Sequence, residues 1–228
     1  MRPENLKSPF SWEERRVIIQ DRVWFVPDYF DRYEEFTFPG WTHPDLFGND
    51  NPICVEYCSG NGAWIAGKAL ANPNINWVAI EKKFVRARKI WSKAKNLKLQ
   101  NLFVICAEGY NVTSRYFPPG TISDIYINFP DPWPKNKHAK HRIIQPIFVE
   151  ELSRILKKDC CMTFVTDDPP YSQWTIDTLL SSPNFRSVYP APYFITDEQC
   201  YGTSYFDQLW REKGRTIHYH KFCKKLPS

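Results

Sequence analysis

Short apolar runs and amphipathic stretches alternate along most of the chain. Each apolar run ends at a turn, which predicts a buried strand. The stretch from Phe84 to Leu97 repeats its apolar residues about every 3.6 positions, which predicts a helix. Pro146 falls inside another helical stretch, so we expect it in the first turn or at a kink. The predicted strands are Ile53–Tyr57, Asn76–Glu81, Leu102–Cys106, Ile122–Asn128 and Cys160–Thr166, and the predicted helices are Ala63–Ala71, Lys83–Asn96, Arg142–Leu156 and Tyr171–Leu180.

This alternation predicts an α/β fold, a doubly wound domain with a mainly parallel sheet covered on both faces. A ligand should lie at the carboxyl ends of the strands. Residues 1–50 form an irregular N-terminal extension with one short predicted helix, Ser11–Gln20, and residues 51–228 form the domain. After Pro183 the alternation breaks, with a loop predicted over residues 189–205 and a last strand over 216–222.

Composition adds a weak indication of the partner. The 228 residues carry a net charge of +5, which leans toward a polyanion. No apolar run approaches the roughly 20 residues that span a bilayer, and the N-terminus lacks the apolar segment of a signal peptide. We therefore expect a cytoplasmic protein without a membrane contact.

Four of the seven cysteines lie in apolar stretches and predict reduced, buried thiols: Cys54, Cys106, Cys160 and Cys161.

Glycines and carboxylates at three strand ends indicate a site for an adenosine-containing cofactor. Gly60 and Gly62 permit a tight turn after the first predicted strand, and Glu81 follows 21 residues after Gly60, where an acid can bind ribose hydroxyls. Glu56 would repel a pyrophosphate but tolerates a sulfonium cation. Glu108 is placed to accept from an adenine amino group. These positions favour S-adenosylmethionine over a dinucleotide, as does Ile65, which replaces the third glycine of the dinucleotide fingerprint.

The loop after the fourth predicted strand, residues 128–135, indicates a substrate site. Three prolines in five residues stiffen this loop, which carries Asp131 and Trp133 at the end of a strand. The basic residues that follow are predicted to contact RNA phosphates: Lys137, Lys140, His141 and Arg142. A second basic stretch, on the helix after Glu81, is predicted to be mostly a solvated helix face. No metal is expected, since His138 and His141 lack a third ligand and Cys54 and Cys58 lack zinc-site spacing.

Over residues 52–222 the chain resembles the bacterial-type tRNA (guanine-N7-)-methyltransferase family. The most specific match is Phe129-Pro130-Asp131-Pro132-Trp133 with Lys135 and the basic segment through Ile143. The resemblance implies a Rossmann-like methyltransferase domain with a seven-stranded sheet. It also implies methyl transfer from S-adenosylmethionine to N7 of guanine 46 in the variable loop of tRNA, without an obligate protein partner.

The same resemblance implies roles for single residues. Asp131 would be catalytic and would join Glu56, Glu81 and Glu108 at the cofactor. The substrate-binding positions would be Lys135, Asp167, Ser204, Tyr205, Phe206 and Asp207.

The chain departs from the family pattern at several positions. Cys58 replaces the first glycine of the turn, and Glu108 replaces an Asp. The late motif reads Ser-Tyr-Phe-Asp instead of Thr-Lys-Phe-Glu, and Trp210 stands where a Gly is expected. Three alternatives therefore stay open: an amino methyltransferase on another nucleic-acid or protein substrate, a tRNA-binding protein with a relic site, and a nicotinamide dehydrogenase, which Glu56 and Ile65 disfavour.

Overall fold

The computed structural model describes residues 1–199, 201–202 and 204–225, and the chain divides into two compact units. The first unit is Met1–Phe117, and the second begins at Pro118. None of the helices in the described part of the chain has the length and apolar character that crossing a bilayer requires.

The first unit contains a five-stranded sheet in the order β1-β2-β5-β4-β3, parallel except for β1 against β2. Short 3-10 helices at Pro3–Asn5 and Tyr33–Glu35 precede the main helices. The strands are β1 (Ile18–Gln20), β2 (Val23–Phe25), β3 (Ile53–Tyr57), β4 (Asn76–Glu81) and β5 (Leu102–Cys106), and the helices are α1 (Ala63–Ala71), α2 (Phe84–Asn96) and α3 (Gly109–Tyr116).

The second unit has four strands in the order β6-β7-β9-β8. Strands β6 and β7 are parallel, whereas β9 runs antiparallel to both β7 and β8. The strands are β6 (Ile122–Asn128), β7 (Leu156–Thr166), β8 (Phe185–Ser187) and β9 (His218–Lys224). The helices are a 3-10 helix (Asn136–His141), α4 (Pro146–Ile155), α5 (Pro169–Ser181) and α6 (Tyr205–Glu212).

The predicted mainly parallel α/β fold is confirmed. The bounds of β3 to β6 agree with the prediction. Strands β3 to β5 are buried almost along their whole length and read as nearly continuous apolar runs, whereas β6 buries Ile122, Ile125 and Ile127 between partly exposed residues. Pro146 occupies the first position of α4, where its missing N–H has no helical partner to lose. The described residues contain nine strands instead of seven, and the first two come from the N-terminal extension.

The predicted helix over Ser11–Gln20 is wrong, because Ile18–Gln20 forms β1 and pairs with β2. A two-residue turn joins the strands, and its residues Asp21 and Arg22 have φ angles of 53° and 63°. A hairpin turn of this kind usually carries Asn-Gly or Asp-Gly, so Asp-Arg gave no signal.

Two short α-helices and the strands β2 and β8 were missed. Helix α3 fell in a stretch for which we made no prediction. Helix α6 begins at the end of the predicted loop, and β8 follows the point where the alternation stops.

The prediction of reduced, buried thiols holds for Cys54, whereas Cys106 and Cys160 are free but only partly buried. Cys161 was expected to be a reduced thiol, but it forms a disulfide with Cys223, which lies directly opposite it in the β7–β9 ladder.

The N-terminal hairpin is packed into the core of the first unit through Trp24. This side chain is fully buried, and its ring lies against Phe36, Phe38, Tyr116 and Phe117 at centroid distances of 5.2–6.5 Å. The extension therefore contributes to the apolar core as well as to the sheet.

We expect Trp24→Ala to lower the free energy of unfolding by about 3–5 kcal/mol, because it leaves a large cavity among aromatic rings. Trp12→Ala is the matched control. Trp12 is 59% exposed and touches mainly the Arg15 guanidinium, 4.1 Å from its ring centroid, so its loss should cost less than about 1 kcal/mol. Urea unfolding measures both, and equal effects would contradict this packing.

A buried chain of polar groups crosses the second unit between β9 and α5. His220 Nδ1 donates to the Tyr193 carbonyl at 3.1 Å, and its Nε2 accepts from the Ser172 hydroxyl at 3.0 Å. The Ser172 oxygen in turn accepts from His218 Nδ1 at 2.9 Å. Burial lowers the pKa of His220 from 6.5 to about 4, so this imidazole is neutral in the folded protein.

The second unit should lose stability as the pH falls from about 6.5 toward 4. The unfolded chain binds a proton on His220 near pH 6.5, whereas the folded chain resists protonation until about pH 4. The loss attributable to this group is about 3 kcal/mol at the acid end. Urea unfolding between pH 7.5 and 4 measures it, with His220→Gln as the comparison. If the free energy of unfolding of the wild type and that of the variant change in parallel with pH, His220 is not the group responsible.

Candidate active site

The turn between β3 and α1 has a left-handed backbone at three positions. Cys58, Gly60 and Gly62 have φ angles of 58°, 56° and 71°. Cys58 therefore holds a conformation that glycine adopts without strain, which explains why a glycine is usual there. A Cβ added at Gly60 would meet only the Cys58 carbonyl oxygen, at 3.9 Å, so the backbone is open to close approach by a ligand. A Cβ at Gly62 would lie 2.8 Å from Ile90 Cγ1.

Glu81, at the end of β4, holds this turn with a carboxylate that is only 5% exposed. Its Oε2 accepts from the Gly60 amide at 2.9 Å, and its Oε1 accepts from the Lys83 amide at 2.8 Å. Burial raises the pKa of Glu81, and these two amides together with the nearby charge of Arg86 oppose the rise. A buried carboxylate with fixed orientation at a strand end suits a ribose with two hydroxyl donors.

The other two predicted cofactor acids follow the neighbouring strands of the same sheet. Glu56 is buried in β3, next to the end of the strand. Glu108 follows β5 and caps α3, where its Oε2 accepts from the Asn111 amide at 2.8 Å. Adjacent parallel strands bring their carboxyl ends to one edge, so the three acids lie along that edge. These three carboxylate acceptors and the open turn fit a cationic cofactor that carries a nucleoside.

In the second unit, the loop after β6 is held by its first residues. The Phe129 amide donates to the Val165 carbonyl at 2.8 Å, and Asn128 Oδ1 accepts from the Tyr201 hydroxyl at 2.5 Å. The Phe129 ring packs against a buried apolar cluster of Val165, Ile217 and Tyr219. Asp131 is exposed beyond this anchor, so the structure presents its carboxylate to solvent.

The basic segment after the loop divides into exposed side chains and one buried anchor. Arg142, predicted to contact RNA, is only 6% exposed. Its Nε donates to the Pro132 carbonyl at 2.9 Å, and its guanidinium lies over the rings of Tyr171 and Trp174. A guanidinium in this position fixes the proline-rich loop and is poorly placed to reach a phosphate. The exposed members are Lys135, Lys137, Lys140 and His141.

Trp133 is the aromatic residue of this loop with the more accessible ring. Its side chain is 37% exposed and its ring centroid lies 5.1 Å from that of His141 and 5.9 Å from that of His138. Among the described residues no group of three His, Cys, Asp or Glu side chains is arranged to hold a metal ion.

Asp167, at the end of β7, forms an ion pair with Arg215. The Arg215 guanidinium also lies 4.2 Å from the Trp210 ring centroid. Trp210, which stands where a glycine was expected, therefore supports the cation that holds Asp167. Arg215 was not among the predicted site residues, because its separation of 48 residues from Asp167 gives no pattern in the sequence.

The late motif of residues 204–207 is partly structural. Ser204 caps α6 through its hydroxyl, which accepts from the Asp207 amide at 3.1 Å. The buried Asp207 carboxylate accepts from Arg211 Nε at 2.8 Å. Phe206 faces Phe129, with ring centroids 6.4 Å apart, and Tyr205 is 56% exposed. The replacement of Thr and Glu by Ser and Asp thus leaves a capped helix with a buried acid, and Tyr205 is the position most accessible to a substrate.

Comparison with known proteins identifies the family. A family model described as "Putative methyltransferase" matches residues 50–220. A crystal structure of a SAM-dependent methyltransferase from Aquifex aeolicus superposes with a TM-score of 0.54 at 12% identity, covering 78% of this chain and 85% of that one. The fold is one that methyltransferases adopt, and the family model defines the chain as a member of a methyltransferase family.

Two relatives carry the same family name along their whole length. The tRNA (guanine-N(7)-)-methyltransferase of Chlamydia muridarum is 42% identical over 228 residues, and that of Chlamydia trachomatis serovar D is 43% identical over 228 residues, with 99% of each chain covered. The chain belongs to the tRNA (guanine-N(7)-)-methyltransferase family, which confirms the resemblance stated from its motifs.

We expect Gly62→Ala to destabilise the first unit by about 2–4 kcal/mol, the sum of a left-handed backbone penalty and overpacking against Ile90. Gly120→Ala is the control, because Gly120 has a φ of 63° and nothing within 4 Å of an added Cβ. That variant should lose only the backbone term, about 1–2 kcal/mol. Urea unfolding compares the two, and equal losses would refute the steric conflict with Ile90.

Proposed function

We propose that this protein transfers a methyl group from S-adenosylmethionine to N7 of a guanine in tRNA, at position 46 of the variable loop. The observation that carries the proposal is the 42–43% identity along 99% of two tRNA (guanine-N(7)-)-methyltransferases. The strand-end acids of the first unit and the proline-rich loop of the second support the same chemistry.

Guanine N7 has an in-plane lone pair and no proton, so the attack needs no general base. When bound, S-adenosylmethionine supplies an electrophilic methyl group on a positively charged sulfur. Glu81 would bind the ribose hydroxyls, Glu56 would favour the cationic end, and Glu108 would accept from the adenine amino group. The main task of the protein is then alignment, which can contribute several kcal/mol to the lowering of the barrier.

Asp131 is the residue to which we assign the base. Its exposed carboxylate can accept hydrogen bonds from guanine N1–H and the N2 amino group, which offsets the positive charge that develops as N7 is methylated. The loop holds it in place through Phe129 and through Pro132, whose carbonyl accepts from Arg142. Trp133 has the exposed ring that would stack on the base, and Lys135 with its exposed basic neighbours would bind phosphates.

The test is methyl transfer from labelled S-adenosylmethionine into unmodified tRNA, followed by nuclease digestion and mass identification of the nucleoside. The proposal requires 7-methylguanosine at position 46. Methylated adenosine or an amino-methylated product would support the amino methyltransferase alternative instead. Binding of tRNA without turnover would support a relic site. Activity of the purified protein alone would agree with an enzyme that needs no obligate protein partner.

A truncation tests the proposed domain boundary. We expect a chain that begins at residue 51 to be inactive in the methylation assay, because it lacks Trp24 and β2, which pack into the first unit. Full activity of this chain would show that the extension is dispensable.

We expect Asp131→Asn to lower kcat/KM for tRNA about 10- to 150-fold, the range for loss of a hydrogen bond to a charged group. The amide keeps the shape of the side chain but presents donors toward the guanine donors. Asp177→Asn is the control, since Asp177 is exposed on α5 and accepts only from Gln173 in the same helix. Full activity of Asp131→Asn in the labelled-methyl assay would show that the assignment is wrong.

A further inference from the structure

Helix α2 carries an unusual distribution of charge. Its 13 residues include five cations and no acid. Cations also lie on either side, at Lys83 just before the helix and at Lys98 just after it. A helix whose charge served only solubility would normally mix both signs, because opposite charges three or four residues apart stabilise it.

Three of these cations lie along one face of the helix. Arg86, Lys89 and Lys93 are separated by three and four residues, the spacing that places side chains above one another. Lys89 is exposed and the other two are half-buried. We call Arg86, Lys89 and Lys93 the α2 basic strip.

No carboxylate of the described residues forms an ion pair with the α2 basic strip. Glu81 is near enough for its charge to interact with that of Arg86, so the cations without a nearby acid are Lys89 and Lys93. Elsewhere cations do find acids: Lys82 pairs with Asp28, and Arg154 pairs with Glu151. The strip is also unfavourable for the helix itself. Arg86 lies in the first turn, at the positive end of the helix dipole, and burial together with the charge of Lys89 lowers the pKa of Lys93.

The rest of α2 is fixed against the unit, so the strip is presented by a rigid helix. The face that adjoins the strip on one side buries Ala87, Ile90, Trp91 and Ala94. On its other side, three residues after Lys89 and Lys93, the Ser92 hydroxyl and the Asn96 amide both donate to the Met1 carbonyl, at 2.7 and 3.0 Å. Because the apolar face is buried, the helix cannot insert it into a lipid surface, which is how a basic amphipathic helix binds membranes.

We propose that the α2 basic strip binds the phosphate backbone of tRNA, as a contact additional to the segment of Lys135–His141. The inference rests on the proposed function for the identity of the RNA. Unpaired cations one helical turn apart match a chain of phosphates, each neutralised by one Lys or Arg. The strip begins five residues after Glu81, on the helix whose N-cap residue, Lys83, donates its amide to that carboxylate.

The test compares the double variant Lys89→Gln/Lys93→Gln with Lys157→Gln/Lys158→Gln. Both remove two positive charges, and Lys157 and Lys158 are exposed on β7, away from α2 in the chain. Binding of unmodified tRNA is measured by filter binding or fluorescence anisotropy across a salt series. We expect the α2 variant to bind about tenfold or more weakly near 0.1 M salt and to lower the slope of log K against log salt by about 1.5. The β7 control should retain the wild-type slope.

Two further measurements exclude a folding defect. Calorimetric binding of S-adenosylmethionine and the thermal midpoint should match wild type, because removing repulsion along the helix does not destabilise it. If the α2 variant folds and binds tRNA with the slope of the control, the inference is overturned.

Failure of the proposed phosphate contact can be distinguished from failure of the proposed function. If the wild-type protein makes 7-methylguanosine in tRNA while the α2 variant binds normally, only the strip fails. If the wild-type protein makes no 7-methylguanosine, the proposed function fails, whatever the salt slope of the variant.

Discussion

The geometry of the first unit depends on one buried carboxylate. Glu81 ends β4 and accepts two backbone amides, one from the turn after β3 and one from the start of α2. Removing a carboxylate from water is costly, and hydrogen bonds from the backbone offset that cost only when both donors are correctly placed. The acid therefore fixes the relative position of a glycine turn and a helix N-terminus. In the proposed complex, the two amides that order the turn would also limit the side from which a ribose can approach Glu81, so one carboxylate would serve both folding and cofactor binding.

The second unit separates anchoring side chains from accessible ones. Arg142, Asp167 and Asp207 look like binding residues in sequence, yet each is committed to a partner within the unit. Asp131 and Tyr205 are exposed on segments that such partners hold in place. This division explains how the late motif tolerates change: a shorter acid and a Ser cap still form the helix, while the exposed position has exchanged a cation for an aromatic ring. The exchange would favour stacking on a base over pairing with a phosphate.

The sequence predicted the elements whose pattern is local and missed those that depend on distant contacts. Strands β3 to β6 were predicted with the observed bounds, because β3 to β5 are nearly continuous apolar runs and the isoleucines of β6 mark it as a buried strand. Helices α3 and α6 are short, and their caps, Glu108 and Ser204, were assigned to ligands instead. The Asp21-Arg22 turn lacks glycine, and its strand pairs with β5 far along the chain. The burial of Arg142 could not be predicted either, because a run of basic residues has the same sequence pattern whether all its side chains are exposed or one of them is buried. The Cys161–Cys223 bond joins residues 62 apart.

The N-terminal hairpin also settles how the sheet of the first unit ends. Strand β5 has the sequence Leu-Phe-Val-Ile-Cys. As an outermost strand it would expose apolar side chains and a row of unpaired backbone N–H and C=O groups, to which another chain could bind. Strand β2 covers that row, and β1 closes the sheet with only three residues. A short, partly polar last strand is a poor template for further strand addition. The extension thus covers an edge through which copies of the chain could associate. A chain that lacks the extension would be prone to aggregate through β5.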